Sequence, residues 1–216
     1  MGSCCSPKGY RWVFSERSAR AEARRYRRRG LDATSKRIVE YLTTEGVEGL
    51  SVLEVGGGIG AIQLELLKAG ATRAVSVELT PTYEEVAREL LDDAGLGARV
   101  ERKVLDFAEG AASVEAADIV VLNRVLCCYP DMPRLASAAA AHAKRVLVLS
   151  FPRRDWWTTA GLASANAVLA LTRREFHIFV HPPKRILATA ESQGLRAVHN
   201  ERGLLWTVAA LRRDAA

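Results

Sequence analysis

Cysteine is scarce in this 216-residue chain, with four residues that fall as two adjacent pairs, Cys4–Cys5 and Cys127–Cys128. Neighbouring cysteines are poor disulfide partners because closing so small a ring strains the peptide bond. The CxxC spacing of zinc sites is missing as well. Long apolar runs are absent: the longest candidate, residues 160–171, contains Ser164 and Asn166 and falls short of the ~20 residues of a membrane span. The N-terminus has no hydrophobic leader segment, so the expectation is a cytoplasmic protein with reduced thiols. MGSCCS fits the N-myristoylation pattern, with cysteines beside it for palmitoylation. That reading needs a eukaryotic host, whereas the heavy Ala and Arg usage suggests a GC-rich bacterial genome. Repeats, low-complexity tracts and a convincing linker are also lacking.

What is present is an ordinary globular composition, 49% hydrophobic and 26% charged, enough for one domain with a substantial core. The net charge of +6 is uneven: residues 1–40 hold eleven Lys/Arg against four Asp/Glu, a balance of +7 that leaves −1 for the rest. The excess centres on RSARAEARRYRRRG (17–30). Such an arm can hold nucleic acid or an acidic substrate, or simply be a solvated helix face.

Helical periodicity runs over 15–29 and resumes over 34–43; strands and helices then alternate. SVLEVG (51–56), RAVSVEL (73–79), RVERKVLD (99–106), ADIVVLN (117–123) and KRVLVLSFP (144–152) read as strands. Helices are expected at 60–69, at PTYEEVARELLDDAG with Pro81 in its first turn, and at PRLASAAAAHA. This order predicts an α/β fold with a mostly parallel, doubly wound sheet. After an insertion at 153–176 carrying Trp156–Trp157 and an apolar helical stretch, a helix PKRILATAESQG leads to LRAVHNE and LLWTVAAL. Only Arg202 and Gly203 separate those two strands, which demands an antiparallel hairpin.

VLEVGGGIGAIQLEL places Gly56, Gly57, Gly58 and Gly60 between a strand and a helix, where the backbone can turn sharply and approach a ligand. The spacing Gly56-x-Gly58-x-x-Ala61, with Glu78 about twenty residues on, also fits the dinucleotide fingerprint loosely. Three features argue against a nicotinamide cofactor. Glu54 would sit badly beside a pyrophosphate but well toward a cation. Asp106 adds a polar group at the carboxyl edge of the sheet. The terminal hairpin replaces the parallel strands of a second mononucleotide half.

In their order, VLEVGGGIG, VSVEL, LDF, ADIVVLN and QGLRAVHNERGLLWTVAAL resemble the class I S-adenosylmethionine-dependent methyltransferases over roughly residues 38–212. The segment YRWVFSERSARAEARRYRRRGLDATSKRIVEYL is loosely similar to the entry region of the magnesium-protoporphyrin O-methyltransferases. The resemblance implies a Rossmann-like seven-stranded fold that binds S-adenosyl-L-methionine. It implies that Gly56 to Gly60 wrap the methionine and ribose, with Glu54 near the methionine amino group. It further implies Glu78 on the ribose hydroxyls, Leu79 against the adenine, Asp106 on the adenine amino group, Phe107 at its edge and Asn123 beside the methionine end. Alternative roles are a turn for the glycines, a surface carboxylate for Glu78 and a helix N-cap for Asp106.

The expected organisation is one domain, with a helical cap (1–45), a cofactor-binding core (46–152), a lid-like insertion (153–181) and a closing helix and hairpin (182–216). Methyl transfer is an in-line displacement, so the protein chiefly aligns the acceptor, and a general base serves only where the acceptor is not acidic enough. Candidates are Arg124, Cys127, Cys128, Tyr129 and His181, with no catalytic residue fixed. Cys127 and Cys128 read first as packing residues, then as pocket wall, and last as part of a four-cysteine soft-metal site. His177 and His181 are four apart, but Val180 and Pro182–Pro183 indicate extended chain and no metal pair; His142 reads as structural. The expected function is methylation of an O, N or S atom of a small molecule. RNA methylation through the basic arm, a non-catalytic cofactor-binding module and a nicotinamide oxidoreductase are the alternatives; Asn123-Arg124-Val125-Leu126 lacks the NPPY form of many base methyltransferases. Oligomeric state is not legible.

Overall fold

A computed structural model describes residues 7–214. The Cys4–Cys5 pair and the lipidation pattern lie outside the described residues. Seven strands form one sheet in the order β3-β2-β1-β4-β5-β7-β6. They are β1 (Ser51–Val55), β2 (Arg73–Glu78), β3 (Val100–Val104), β4 (Ala117–Asn123), β5 (Ala143–Pro152), β6 (Leu195–Arg202) and β7 (Trp206–Arg213). The helices are α1 (Pro7–Val13), α2 (Glu16–Arg29), α3 (Ala33–Glu45), α4 (Ala61–Lys68), α5 (Glu84–Asp93), α6 (Phe107–Gly110), α7 (Met132–His142), α8 (Trp156–Leu171) and α9 (Pro183–Glu191). Strands β1 to β5 pair in parallel, while β7 runs antiparallel to both β5 and β6.

The strands alternate strictly between two cores. Leu53, Val55, Val120, Leu122, Leu147 and Leu149 pack with α7 and α9 through Leu135, Ala136, Ala139 and Ile186. Val52, Ile119, Val121, Val146 and Val148 face the other way, against Ile38 and Leu42 of α3 and Ile62 and Leu66 of α4. Helix α2 lies outside this sandwich; Ala19 and Ala23 bury it against Ile59, Tyr83, Val86 and Leu90.

Several expected boundaries are corrected. Helix α1 has no counterpart in the sequence reading. Pro81 belongs to a 3₁₀ turn, Pro81–Tyr83, ahead of α5 and not to its first turn. Strand β3 ends at Val104, so Asp106 lies beyond it as the N-cap of α6. The hairpin connection is residues 203–205, because Gly203 N–H donates to Trp206 O at 2.8 Å and closes the turn; Leu204 and Leu205, apolar enough to read as strand, are left exposed at its tip.

Candidate active site

The sheet reverses direction of winding between β1 and β4, the place where open α/β sheets form a crevice at the carboxyl ends of their strands. A cavity of about 270 Å³ occupies that position. Its floor is the loop after β1. Gly56 and Gly58 both have positive φ, 67° and 61°, a conformation that costs other L-residues free energy. A Cβ on Gly57 would lie 2.4 Å from Glu54 Cδ, and one on Gly58 would lie 3.2 Å from the Tyr83 ring. The loop is therefore a cradle that side chains would fill.

Two carboxylates sit in that floor. Glu78, ending β2, accepts from Gly58 N–H at 2.6 Å. Among the described residues its second oxygen has no hydrogen-bond partner, although Glu78 lines the cavity. Burial pushes its pKa from 4.5 up to about 8, with the Arg102 charge pulling the other way. Glu54, on β1, is fully buried, accepts from Gln63 N–H at 3.2 Å and is raised by burial to about 7. Beneath the loop the buried Arg102 of β3 pairs with Glu84 at 2.9 Å and donates to Gly58 O at 3.3 Å and Ser76 Oγ at 3.2 Å.

The opposite wall comes from β4 and the N-terminal helices. Asn123 accepts from Ser150 Oγ at 2.6 Å and donates to Ser35 Oγ at 3.1 Å. Arg124 follows in the left-handed region, φ 62°, its N–H bonded to Ser150 Oγ at 2.8 Å and its guanidinium to Asp32 at 2.5 Å. Asp32 also caps α3 through Thr34 and Ser35, and the Arg124 charge is the largest of the effects that hold its pKa low against the opposing pull of burial. Tyr129 donates to Asp106 at 2.9 Å, while Asp106 accepts from Ala108 N–H at 3.0 Å. Asp106 is thus both an N-cap and a cavity residue.

Glu54, Gly56, Gly57, Gly58, Glu78, Leu79, Asp106, Phe107, Asn123, Arg124, Cys128 and Tyr129 all line the cavity; Gly60, Cys127 and His181 do not. The one-turn helix Leu126–Cys128 divides the cysteines: Cys127 is buried against the core, and Cys128 faces the cavity. Their sulfurs lie 3.6 Å apart. His181 stands behind the wall with Nε2 3.1 Å from Tyr129 O, and burial lowers its pKa. The segment carrying it runs extended, with Phe179 N–H bonded to Cys127 O at 2.7 Å. His142 packs against Phe107, its ring nitrogens facing the carbonyls of Ala138 and Ala111. Among the described residues no group of three or more His, Cys, Asp or Glu could hold a metal ion, and no helix is long and apolar enough to cross a membrane.

Glu22, Arg25, Tyr26, Ser35 and Tyr83, which no sequence motif marks, also line the cavity. The signal for Asp32 was available, since an Asp before a helical run is a capping residue. The other side of α2 spends its charge on α5: Arg20 pairs with Glu85 at 3.4 Å, and Arg27 pairs with Asp93 at 2.7 Å. Tyr10 and Phe14 form the cover, meeting Phe176 edge-on at 5.6 and 5.9 Å. Tyr10 also donates to Cys128 O at 2.5 Å. The expected lid residues Trp156 and Trp157 are not on the cavity; they face outward from α8.

Strand order, glycine cradle and the acidic end of β2 together define a class I S-adenosylmethionine-dependent methyltransferase fold. The chain belongs to the methyltransferase-domain family, whose sequence profile matches residues 13–200. Among solved structures it is similar to the magnesium protoporphyrin IX methyltransferase of Synechocystis with bound S-adenosylhomocysteine, at 21% identity, TM-score 0.69, covering 84% of this chain and 82% of that one. An O-methyltransferase family protein of Burkholderia thailandensis gives 21% identity and TM-score 0.72 over 95% of this chain and 62% of that one. Curated relatives include the ribosomal protein L11 methyltransferase of Geobacter metallireducens, 29% identical over 146 residues, 68% of this chain and 47% of that protein. The counterpart from Desulforamulus reducens is 33% identical over 111 residues, 49% of this chain and 35% of that protein. The chain thus spans between a third and a half of the length of these two curated relatives.

Proposed function

We propose that this protein binds S-adenosyl-L-methionine in the cavity and transfers its methyl group to an O, N or S atom of a small, largely apolar acceptor. The observation that carries this reading is the two-sided cavity, with a glycine-and-carboxylate floor opposite a wall and cover that include Val125, Tyr129, Tyr10 and Phe14. The floor fits the donor: a carboxylate with one uncommitted oxygen suits a ribose diol, and the glycine cradle admits a ligand where Cβ atoms would stand. In this reading Glu78 holds the ribose hydroxyls, Glu54 and the loop of Gly56, Gly57, Gly58 and Gly60 hold the methionine end beside Asn123, and Leu79, Asp106 and Phe107 surround the adenine. When bound, S-adenosylmethionine supplies the electrophilic methyl carbon and the sulfur leaving group.

The chain's own residues then orient the acceptor and exclude water. Tyr10 and Phe14 close the cavity from above, and Arg124, Cys128 and Tyr129 form the wall nearest Asn123. Cys127 and His181 support that wall from behind. His181 does not line the cavity, and its Nε2 is turned to the Tyr129 carbonyl, so it holds the Tyr129 turn in place and does not act as a base in the cavity. Of the expected lid, Tyr10 and Phe14 with Phe176 of the insertion make the cover.

A macromolecular acceptor draws support from the ribosomal protein L11 methyltransferases among the relatives. Against it stand the aromatic cover of Tyr10 and Phe14 over the cavity and the pairing of Arg20 and Arg27 with α5, which removes charge that an RNA backbone would need. A screen with labelled cofactor against phenols, carboxylates, amines, thiols, RNA and ribosomal protein decides the matter. Incorporation confined to the last two would reject the small-molecule reading. Calorimetry with S-adenosylhomocysteine and NADH tests the donor separately, and binding of NADH alone would reject it.

A further inference from the structure

Helix α8 presents an apolar face that nothing among the described residues covers. Of its sixteen residues only Thr158 is buried. At 100° per residue, Trp156, Trp157, Ala160, Ser164, Ala167, Val168 and Leu171 fall within an arc of about 120°. Trp156 and Leu171 are 82% and 84% exposed, and Val168 is also open. The opposite side is fastened to the protein: Asn166 donates to Ile178 O and accepts from Ile178 N–H, both at 2.8 Å. The outward face is therefore held in a fixed direction.

The apolar area continues past the helix. Arg153 N–H donates to Leu205 O at 2.9 Å and its guanidinium to Gly203 O at 3.0 Å, which brings the β6–β7 tip beside the start of α8. Leu204, at that tip, is 79% exposed. Charge is confined to the two ends. Arg153 and Arg154 precede the helix, Arg173 and Arg174 follow it, and none of the sixteen residues between is charged. Arg153 pairs with Asp155 at 2.6 Å, and Arg174 stacks on the exposed Trp12 ring at 3.9 Å. With Glu175 the segment 153–175 carries four positive and two negative residues.

We propose that this face docks on an anionic phospholipid surface, with Trp156, Trp157, Leu171 and Leu204 entering the headgroup boundary and the flanking arginines meeting phosphates. Tryptophan favours that boundary, apolar side chains gain by leaving water, and arginine pairs with anionic headgroups from both ends of the helix. A second copy of the chain is a poorer occupant. In a two-fold contact an antiparallel α8 would set Arg153 and Arg154 of one chain against Arg173 and Arg174 of the other. A lipid surface turns the same four charges into attraction. Docking needs no cofactor; only if the methyltransferase reading holds does it also bring the Phe176–Tyr10–Phe14 cover close to a supply of apolar acceptor.

Co-sedimentation of the full chain with vesicles tests this. With vesicles of equal parts phosphatidylcholine and phosphatidylglycerol, the Trp156→Ser/Leu171→Ser variant should lose about tenfold or more in partitioning. Arg154→Gln/Arg173→Gln should lose about fivefold per charge, and phosphatidylcholine vesicles alone should bind weakly. All these side chains are exposed, so unchanged melting temperatures check folding. Undiminished pelleting of the Trp156→Ser/Leu171→Ser variant would overturn the proposal, since diffuse positive charge would then explain it. So would a dimer in sedimentation velocity that Trp156→Ser abolishes, which would give the face to a second copy. The assay contains no cofactor, so its outcome is separate from that of the methyl-transfer screen.

Discussion

The two sides of the cavity are built on different terms. The floor is sequence-local: Glu54 and the glycines lie within seven residues, and Glu78 ends the neighbouring strand in register with Val104 of β3. The wall and cover are assembled from α1, α2, the start of α3, the turn after β4 and Phe176. A floor of backbone amides and carboxylates suits a ligand that never changes. A cover of aromatic contacts from distant segments can diverge without disturbing that floor.

Breaking the floor should have the larger consequences. Folding leaves Glu78 and Glu54 protonated in a range where the unfolded chain releases those protons, near pH 4.5. Their stability contribution is complete below 4.5 and is lost as pH rises through about 7 and about 8. The melting temperature of the ligand-free protein should therefore fall over that window, and Glu78→Gln should flatten the decline. A melting temperature that climbs from pH 5 to 8 would contradict the burial of these groups. Asp32, whose pKa is lowered, adds a separate loss of stability on the acid side, as does Asp118 of β4, which accepts from Ser51 N–H at 2.9 Å and Ser51 Oγ at 2.6 Å and, against the pull of burial, is lowered by those bonds.

The next effect concerns ligand affinity. Above about pH 8, where Glu78 is ionised, Glu78→Ala should weaken S-adenosylhomocysteine binding by about 1.5–3 kcal/mol, the range for hydrogen bonds to a charged group. Unchanged affinity in calorimetry would remove Glu78 from the donor site.

Breaking the cover should leave the floor intact. A Cβ on Gly9 would stand 1.8 Å from Glu175 O, so Gly9→Ala must push α1 away from the insertion, at a cost of about 1–3 kcal/mol for overpacking. Acceptor turnover should drop while S-adenosylhomocysteine affinity stays within twofold, about 0.4 kcal/mol. Deleting residues 1–14 should act in the same direction, and equal loss of both functions would dissolve the distinction between the two sides. The smallest effect is expected where they meet. Tyr129→Phe removes the donor to Asp106 and should cost about 0.5–1.5 kcal/mol in cofactor affinity.

Legibility in sequence followed the same division. The strand pattern, the glycine cradle and Glu78 could be read because each depends on residues close together or on a period of two. Arg102 could not: in RVERKVLD it reads as one more strand charge, and its burial arises from pairing with Glu84 beneath a loop 44 residues earlier. Glu22 and Arg25 were hidden in a basic run whose net charge masked which helix face turns inward. Cys127 and Cys128 read as a unit, yet a single 3₁₀ turn sends one to the core and one to the cavity.

Arg102 also bears on how fast a ligand can be accepted. Its guanidinium fixes the Gly58 carbonyl from below while Glu78 fixes the Gly58 amide from above. The loop most permissive by composition is thus immobilised before anything arrives. A ligand entering it meets little ordering cost from the backbone, so association should be governed by passage beneath the aromatic cover and not by rearrangement of the glycines. Arg102→Met would transfer that cost to the binding step, visible as a slower on-rate and a more unfavourable binding entropy.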